Sequence, residues 1–531
     1  MKMLQSMNPP AALEPQSLIP PPSRRWRDGV WLIVAFLYLT GASWQWWPTK
    51  DSALYLNLAR SLVRGEGYSI NGTLNTTVTP GLPAMIAGLW RLFGEHIYAP
   101  TLAMTLCGLI ALWLGYRLVR AIDSPAMALG VLAATALSFK FYRHSGLVLT
   151  EAPSAALVAA ILAVWYLGRR WSLAWNVAAL TLLSAAVVTV RVPLVALMVI
   201  IAAGVLLEVR AVPCRRRRLW SAGAILAGAL APTVIFYWLS RSLSQETPLY
   251  LKVLAEEPLA GPTLIGRLVG TVQGMTLGLP NVLAEMFSGQ DGLVIALVLG
   301  YPLLALMIVG LVGQWRRGLR ILPLAAIIFP LVSALSLGAW AVKVRYLIPL
   351  HLVMILLVLQ GLLIAAARLK PFADRRKLAF VLIVAVACSV AANAPRMLKR
   401  WYRSAVAART NSFFSTIDAG QYRDLPALAA MFRTAGDGPI AVAPDQALVL
   451  QYFADRPVEM MVPPVETVGD ADRQAASILR SRCALAVLDR EVPDAFARRL
   501  GELLTAPVDG DPQYQLVEGL KNHRVWRRRG P

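Results

Sequence analysis

Charge is scarce in this chain. Only 15% of its 531 residues are Asp, Glu, Lys or Arg, and 57% are hydrophobic, with a mean hydropathy of +0.56. An ordinary soluble domain carries about 25% charged residues, so the surplus apolar surface needs lipid as its solvent, which excludes a soluble globular protein. Acidic residues are scarcer still, 30 against 52 basic ones, for a net charge of +22. That excess could serve nucleic acid, but the Arg and Lys cluster in short loops between apolar runs. This is the positive-inside pattern of a membrane protein, and no nucleic-acid partner is expected. Cysteine is rare as well: Cys107, Cys214, Cys388 and Cys483 show no metal-ligand spacing, and three fall in or beside apolar segments. A disulfide framework and a zinc site are both excluded on that basis. Internal repeats, a Gly-rich phosphate loop and a nucleophile elbow are missing too. No cleavable signal peptide is expected, because the first apolar run is long enough to remain in the membrane.

What the chain has instead is a long series of apolar runs, each near the ~20 residues that a bilayer requires. Residues 1–28 read as a cytoplasmic tail ending in Arg24, Arg25 and Arg27. The first span is expected over Gly29–Trp47, closing on an interfacial belt of Trp44, Trp46 and Trp47. Later spans alternate between arginine-rich inner loops, such as Arg215–Arg218 and Arg316–Arg320, and outer turns at Phe141, Arg191, Lys343–Pro349 and Asn393. Thr150 is the expected N-cap of the fourth span, with Pro153 in its first turn. The count comes to about eleven spans. Residues 29–395 thus read as a polytopic α-helical membrane domain with two large external loops, 48–98 and 241–291, the second carrying amphipathic pieces on the membrane surface. After Pro395 the charges separate and short apolar strands such as Ala484–Asp489 alternate with helical patterns. Residues 396–531 therefore read as a small external α/β domain, with Cys483 as a small core residue.

Candidate chemistry gathers at the outer ends. The first external loop offers Lys50 and Asp51. Asp51, Tyr55, Leu58, Ala59 and Leu62 recur at helical spacing, so the Tyr55 ring shares a face with the Asp51 carboxylate. Gly65 and Gly67 stop that helix, and Thr79–Pro83 forms an elbow back towards the membrane. Other outer turns supply Arg143, His144 and Glu151, then Arg191, then Lys343, Arg345 and Tyr346. A carboxylate can take the proton of an acceptor hydroxyl, and cations can hold a phosphate, so this mixture suits group transfer from a phosphate carrier.

The residues Asp51, Tyr55, Leu58–Arg60, Gly65–Tyr68 and Pro80–Pro83 resemble the first external loop of the integral-membrane GT-C glycosyltransferases. That group includes the protein O-mannosyltransferases and the aminoarabinose transferase of lipid A. The resemblance continues at Leu92–Gly94, Thr150–Pro153, Arg345–Pro349 and the segment Ala441–Pro457. It implies an inverting transfer of a sugar from a polyprenyl-phosphate donor to an envelope acceptor at the outer face of the cell (inner) membrane. The carrier chain would lie among the spans. The resemblance makes Asp51 the functional aspartate, and the polar residues at the outer ends, Lys50, Tyr55, Arg143, His144, Glu151, Arg191, Lys343, Arg345 and Tyr346, are the substrate-binding candidates. Some members carry a second acidic residue directly after the aspartate. Here that residue is Ser52, which speaks against a metal on paired carboxylates, so no cofactor is expected and a divalent metal stays an open alternative. The competing reading is a transport-type lipid-carrier flippase or a non-catalytic envelope assembly protein. Transporters place buried charges at the membrane midplane, whereas these polar residues collect at one face.

Overall fold

The computed structural model describes residues 22–43, 46–76, 78–209, 212–244, 264–337, 342–372, 374–407, 424–435, 440–442, 447–454, 459–460, 468–481, 483–489, 493–508, 511–512, 514–517, 520 and 523–528. The chain separates into two compact units. The first comprises Met1–Ser43, Thr76–Leu82 and Pro100–Ala405, the second Trp44–Asn75, Pro83–Ala99 and Val406–Pro531. Most of the expected tail, Trp44, Arg210 and the middle of the 241–291 loop lie outside the described residues.

The first unit is a bundle of apolar helices. Among the described residues, seven helices are long and apolar enough to cross a membrane, the outermost in sequence being Tyr98–Ile122 and Arg375–Ala405. The pair Pro125–Ala136 and Phe139–Ser145, bent by 68°, makes an eighth if taken as one span. The protein is thus an integral membrane protein, and among the described residues the uninterrupted spans are fewer than the eleven or so expected, because several apolar runs are cut short. Leu194–Leu207 has 14 residues, roughly 21 Å of helix, less than the ~30 Å hydrocarbon core. The first run ends at Gly41 rather than Trp47. The third breaks before Phe139, whose N–H donates to Asn393 Oδ1 at 2.8 Å.

Three further boundaries differ from the sequence reading. Residues 264–288, expected as amphipathic pieces within an external loop, form one continuous helical run, Leu264–Gln273 and Leu279–Ser288 flanking a π-helical turn at Gly274–Gly278. Leu279, Leu283 and Met286 are buried in the bundle core, so apolar packing holds the second half of this run. The last helix does not stop near Asn393. It runs from Arg375 to Ala407 through Pro395. A proline removes one backbone donor and bends a helix, and packing on both sides sustains this one, with Asn393, Met397 and Ser404 all buried. The stretch Lys343–Pro349 opens the span Val344–Ala367 instead of forming a separate turn.

Small residues and buried polar groups fix the packing. Gly310 and Gly361 face each other's helices so closely that a Cβ on either would strike the neighbouring backbone, at Leu357 and Leu306 respectively. At the C-terminal end of Glu151–Leu167, the buried Glu208 carboxylate accepts from Trp165 Nε1 at 2.8 Å, from the Tyr166 hydroxyl, and from the Ile321 N–H at 3.0 Å. Such a carboxylate costs stability only when it is unpaired, and this one joins three helices.

The second unit contains a five-stranded mixed sheet. Strand β1 (Ser69–Ile70) pairs with β2 (Thr73–Leu74) in a separate hairpin. The sheet itself is built from β3 (Ile440–Val442), β4 (Glu459–Met460), β5 (Leu485–Asp489), β6 (Tyr514–Val517) and β7 (His523–Arg528) in the order β4-β3-β5-β7-β6, with β3, β4 and β5 parallel. The strands β6 and β7 add antiparallel to its edge. The helices Val468–Arg480 and Asp494–Thr505 bury Ala475, Ile478, Phe496 and Leu500 together with Cys483 and Trp526. The helix Lys50–Arg64 belongs to the same unit. Its Asn57 Nδ2 donates to Leu448 O at 2.9 Å and its Arg60 Nη1 to Tyr452 O at 2.8 Å.

Candidate active site

In the first unit, Glu151 opens the helix Glu151–Leu167 and is fully buried. Thr150 occupies the N-cap position but its side chain makes no capping bond, and Glu151 is the acidic residue of the first turn, where the helix dipole favours a carboxylate. Arg345 Nε donates to Glu151 Oε1 at 2.6 Å, and Arg191 Nη1 lies 3.6 Å from the same oxygen. The Tyr346 ring backs both cations, with the Arg191 guanidinium 5.1 Å and the Arg345 guanidinium 5.8 Å from its centroid. His144 is buried, its Nδ1 2.8 Å from Lys140 O, and it stands in the electrostatic field of Glu151 and Arg345. Five sequence-selected residues from four separate segments are thus brought together: His144, Glu151, Arg191, Arg345 and Tyr346. Two guanidiniums approach one carboxylate oxygen, with Arg191 and Glu151 buried and Arg345 half-buried.

Arg143 is exposed and goes elsewhere. It lies in the field of Glu285, which forms an ion pair with Lys140, and of Arg400. Lys343 is an exposed N-cap residue. The sequence reading did not single out Glu285, Arg400 or His351. His351 is fully buried, meets Phe141 edge-to-face at 5.6 Å, and has no hydrogen-bond partner on either ring nitrogen. Nothing in its apolar sequence surroundings signals that placement.

In the second unit, Lys50, Asp51 and Tyr55 lie on the helix Lys50–Arg64, Lys50 exposed, Asp51 half-buried and Tyr55 buried. A capping box starts the helix: Thr49 Oγ1 accepts from the Ser52 N–H at 3.0 Å, and Ser52 Oγ accepts from the Thr49 N–H at 2.9 Å. Trp46, expected in a lipid-facing belt, is instead 1% exposed, with its indole N–H on Ser52 Oγ at 3.0 Å and its ring 4.9 Å from Tyr452. Burial, helped by the neighbouring Tyr55, lifts the Tyr68 hydroxyl well above the ordinary tyrosine range. Among the described residues no three His, Cys, Asp or Glu side chains are grouped to hold a metal. The residue after Asp51 uses its oxygen as a helix cap.

No family model matches the chain, and no curated protein matches it by sequence. Solved structures do. ArnT from Cupriavidus metallidurans bound to undecaprenyl phosphate is similar at a TM-score of 0.59 and 13% identity, over 95% of this chain and 98% of that one. Its apo state gives a TM-score of 0.59 at 12% identity, over 94% and 97%. The Archaeoglobus fulgidus oligosaccharyltransferase tethered with an acceptor peptide gives 0.53 at 14% identity, over 93% of this chain and 73% of that chain. A likeness that spans nearly the whole chain at such low identity is one of backbone course. This chain has the GT-C fold of the integral-membrane glycosyltransferases that its motifs resemble.

Proposed function

We propose that the protein is an inverting glycosyltransferase that moves a sugar from a polyprenyl-phosphate carrier to a cell-envelope acceptor at the outer face of the inner membrane. The observation that carries this reading is the pairing of Arg191 and Arg345 on the single buried carboxylate of Glu151. A phosphate monoester presents anionic oxygens of the kind that guanidiniums bind by charge-assisted hydrogen bonds. Glu151 then acts as the counter-ion that orients the two guanidiniums, with Tyr346 behind them. The GT-C fold, shared with a protein seen bound to undecaprenyl phosphate, supports the choice of carrier. Lys343, Lys50, Arg143 and His144 are secondary candidates for the same substrates.

Asp51 is the proposed general base. An acceptor hydroxyl is a poor nucleophile at neutral pH. As its oxygen bonds to the anomeric carbon, its proton passes to the Asp51 carboxylate. The bond from that carbon to the phosphate oxygen breaks, and polyprenyl phosphate leaves with both electrons, inverting the centre. Tyr55, one turn on, positions the carboxylate or stacks on the sugar. General-base catalysis contributes about 10²–10⁴-fold. Purified Asp51→Asn should therefore lose glycosyl transfer by that factor while keeping expression and donor binding. Near-normal transfer in Asp51→Asn would end the assignment. Mass spectrometry of envelope glycolipids and glycoproteins, with and without the protein, identifies the sugar and the acceptor.

A further inference from the structure

The second unit holds a polar cavity that the proposed reaction does not use. Its volume is about 290 Å³, close to the lower end of the ~300–1,000 Å³ typical of ligand pockets. One wall is the helix Lys50–Arg64. Asn57, Arg60, Ser61 and Arg64 line it at the i, i+3, i+4, i+7 spacing of a single helix face. Asp51 lies on a face rotated by about 130° from this one, roughly 14 Å along the axis from Arg60.

The opposite wall is the hairpin of β1 and β2. Asn71 and Gly72 both have positive φ, 52° and 77°, which is the two-residue turn that Asn-Gly favours. That turn fixes the Asn71 side chain against Gln451. Asn71 Nδ2 donates to Gln451 Oε1 at 3.3 Å, and Gln451 Nε2 donates to Asn71 Oδ1 at 2.9 Å. A primary amide has two N–H groups and two lone pairs, so Gln451 retains a donor and an acceptor beyond this pairing. Behind the amides, Ser61 Oγ donates to Glu66 Oε2 at 3.2 Å.

Charge decides the class of ligand. Arg60 is committed: its Nε lies 2.7 Å and its Nη2 2.6 Å from Glu95 Oε1, and its guanidinium sits 4.2 Å over the Tyr452 ring. Arg64 and Glu66 offset each other formally. The cavity is therefore dense in donors and acceptors but close to neutral, which suits a polyhydroxylated, uncharged ligand and not a phosphate.

We infer that this cavity is a docking subsite for one uncharged sugar residue of the acceptor glycan, separate from Asp51. The acceptor part of this inference rests on the glycosyl-transfer reading. The test is direct binding to the full-length protein in lipid nanodiscs, measured by saturation-transfer NMR. The probes are methyl α-mannopyranoside, methyl β-glucopyranoside and maltose, with inorganic phosphate as competitor. At least one neutral probe should bind, and at least tenfold more weakly to Gln451→Ala and Arg64→Ala, both with unchanged thermal transitions. Gln451→Glu, which keeps the shape but adds a charge, should also weaken it. Asp51→Asn should bind like the wild type even though its transfer is lost, which separates failure of the pocket from failure of the reaction. In transfer assays Gln451→Ala should raise the acceptor KM and leave kcat in place. Binding by no neutral probe, displacement by phosphate, indifference to the Gln451 and Arg64 changes, or loss in Asp51→Asn would each overturn the inference.

Discussion

The hydroxyl of Ser52 takes part in three hydrogen bonds at once. It accepts from the Thr49 N–H and from Trp46 Nε1, and it donates to Thr49 O. A serine hydroxyl has one proton and two lone pairs, so nothing is left over for a ligand, and the residue beside Asp51 is a structural one. Ser52→Ala should lower stability by about 1–3 kcal/mol, the cost of leaving buried donors unpaired, seen as a lower melting temperature by tryptophan fluorescence. Ser52→Asp restores an acceptor at the capping position and should recover part of the loss. A Ser52→Ala protein that melts with the wild type would mean that the box contributes little. The other residue-scale expectation concerns Arg345. Its Nε donates to the Glu151 carboxylate at 2.6 Å. Arg345→Ala should weaken donor binding severely. Arg345→Lys should recover only part of it, because a point charge replaces a planar fork. Unchanged donor affinity in Arg345→Ala would reduce Arg345 to an interfacial anchor.

At the scale of elements, apolar run length and arginine position announce the membrane helices, but not where they break. The interruption before Phe139 depends on Asn393, 254 residues later, whose amide also donates to Phe287 O at 2.9 Å. Such a long-range partner leaves no local signature. The glycine pair is similar. Gly310 and Gly361 read as ordinary helix-weakening residues until their helices are seen in contact. Gly361→Ala should cost about 1–3 kcal/mol by overpacking and because close backbone approach is what holds membrane helices together. Gly223→Ala, in the helix Arg215–Ser244 with open space around it, should be neutral or stabilising by about 0.5–1 kcal/mol. Thermal unfolding in one detergent compares the two. Equal effects would remove the packing explanation.

For the whole molecule, arginine placement predicts the orientation. With native cysteines replaced, single cysteines at positions 60 and 450 should react with an impermeant thiol reagent from outside. Cysteines at 215 and 372 should react only after the membrane is opened. Labelling of position 450 from the cytoplasmic side would require both the external assignment of the second unit and the role of Asp51 to be redrawn.

Composition and periodicity by themselves determined the solvent of this protein and its helical class, because burial in lipid is paid residue by residue along the chain. The helix carrying Asp51 and Tyr55 was equally legible, since capping and 3.6-residue spacing are local. Only the tertiary structure decided that Glu151, Arg191 and Arg345 meet while Arg143 stays exposed. It also decided that Trp46 lies in a core rather than in lipid, and that Asn71, Arg64 and Gln451 close around a cavity. These outcomes depend on pair interactions between segments tens to hundreds of residues apart. Their energies exist only once the helices have packed, so no window of sequence contains them.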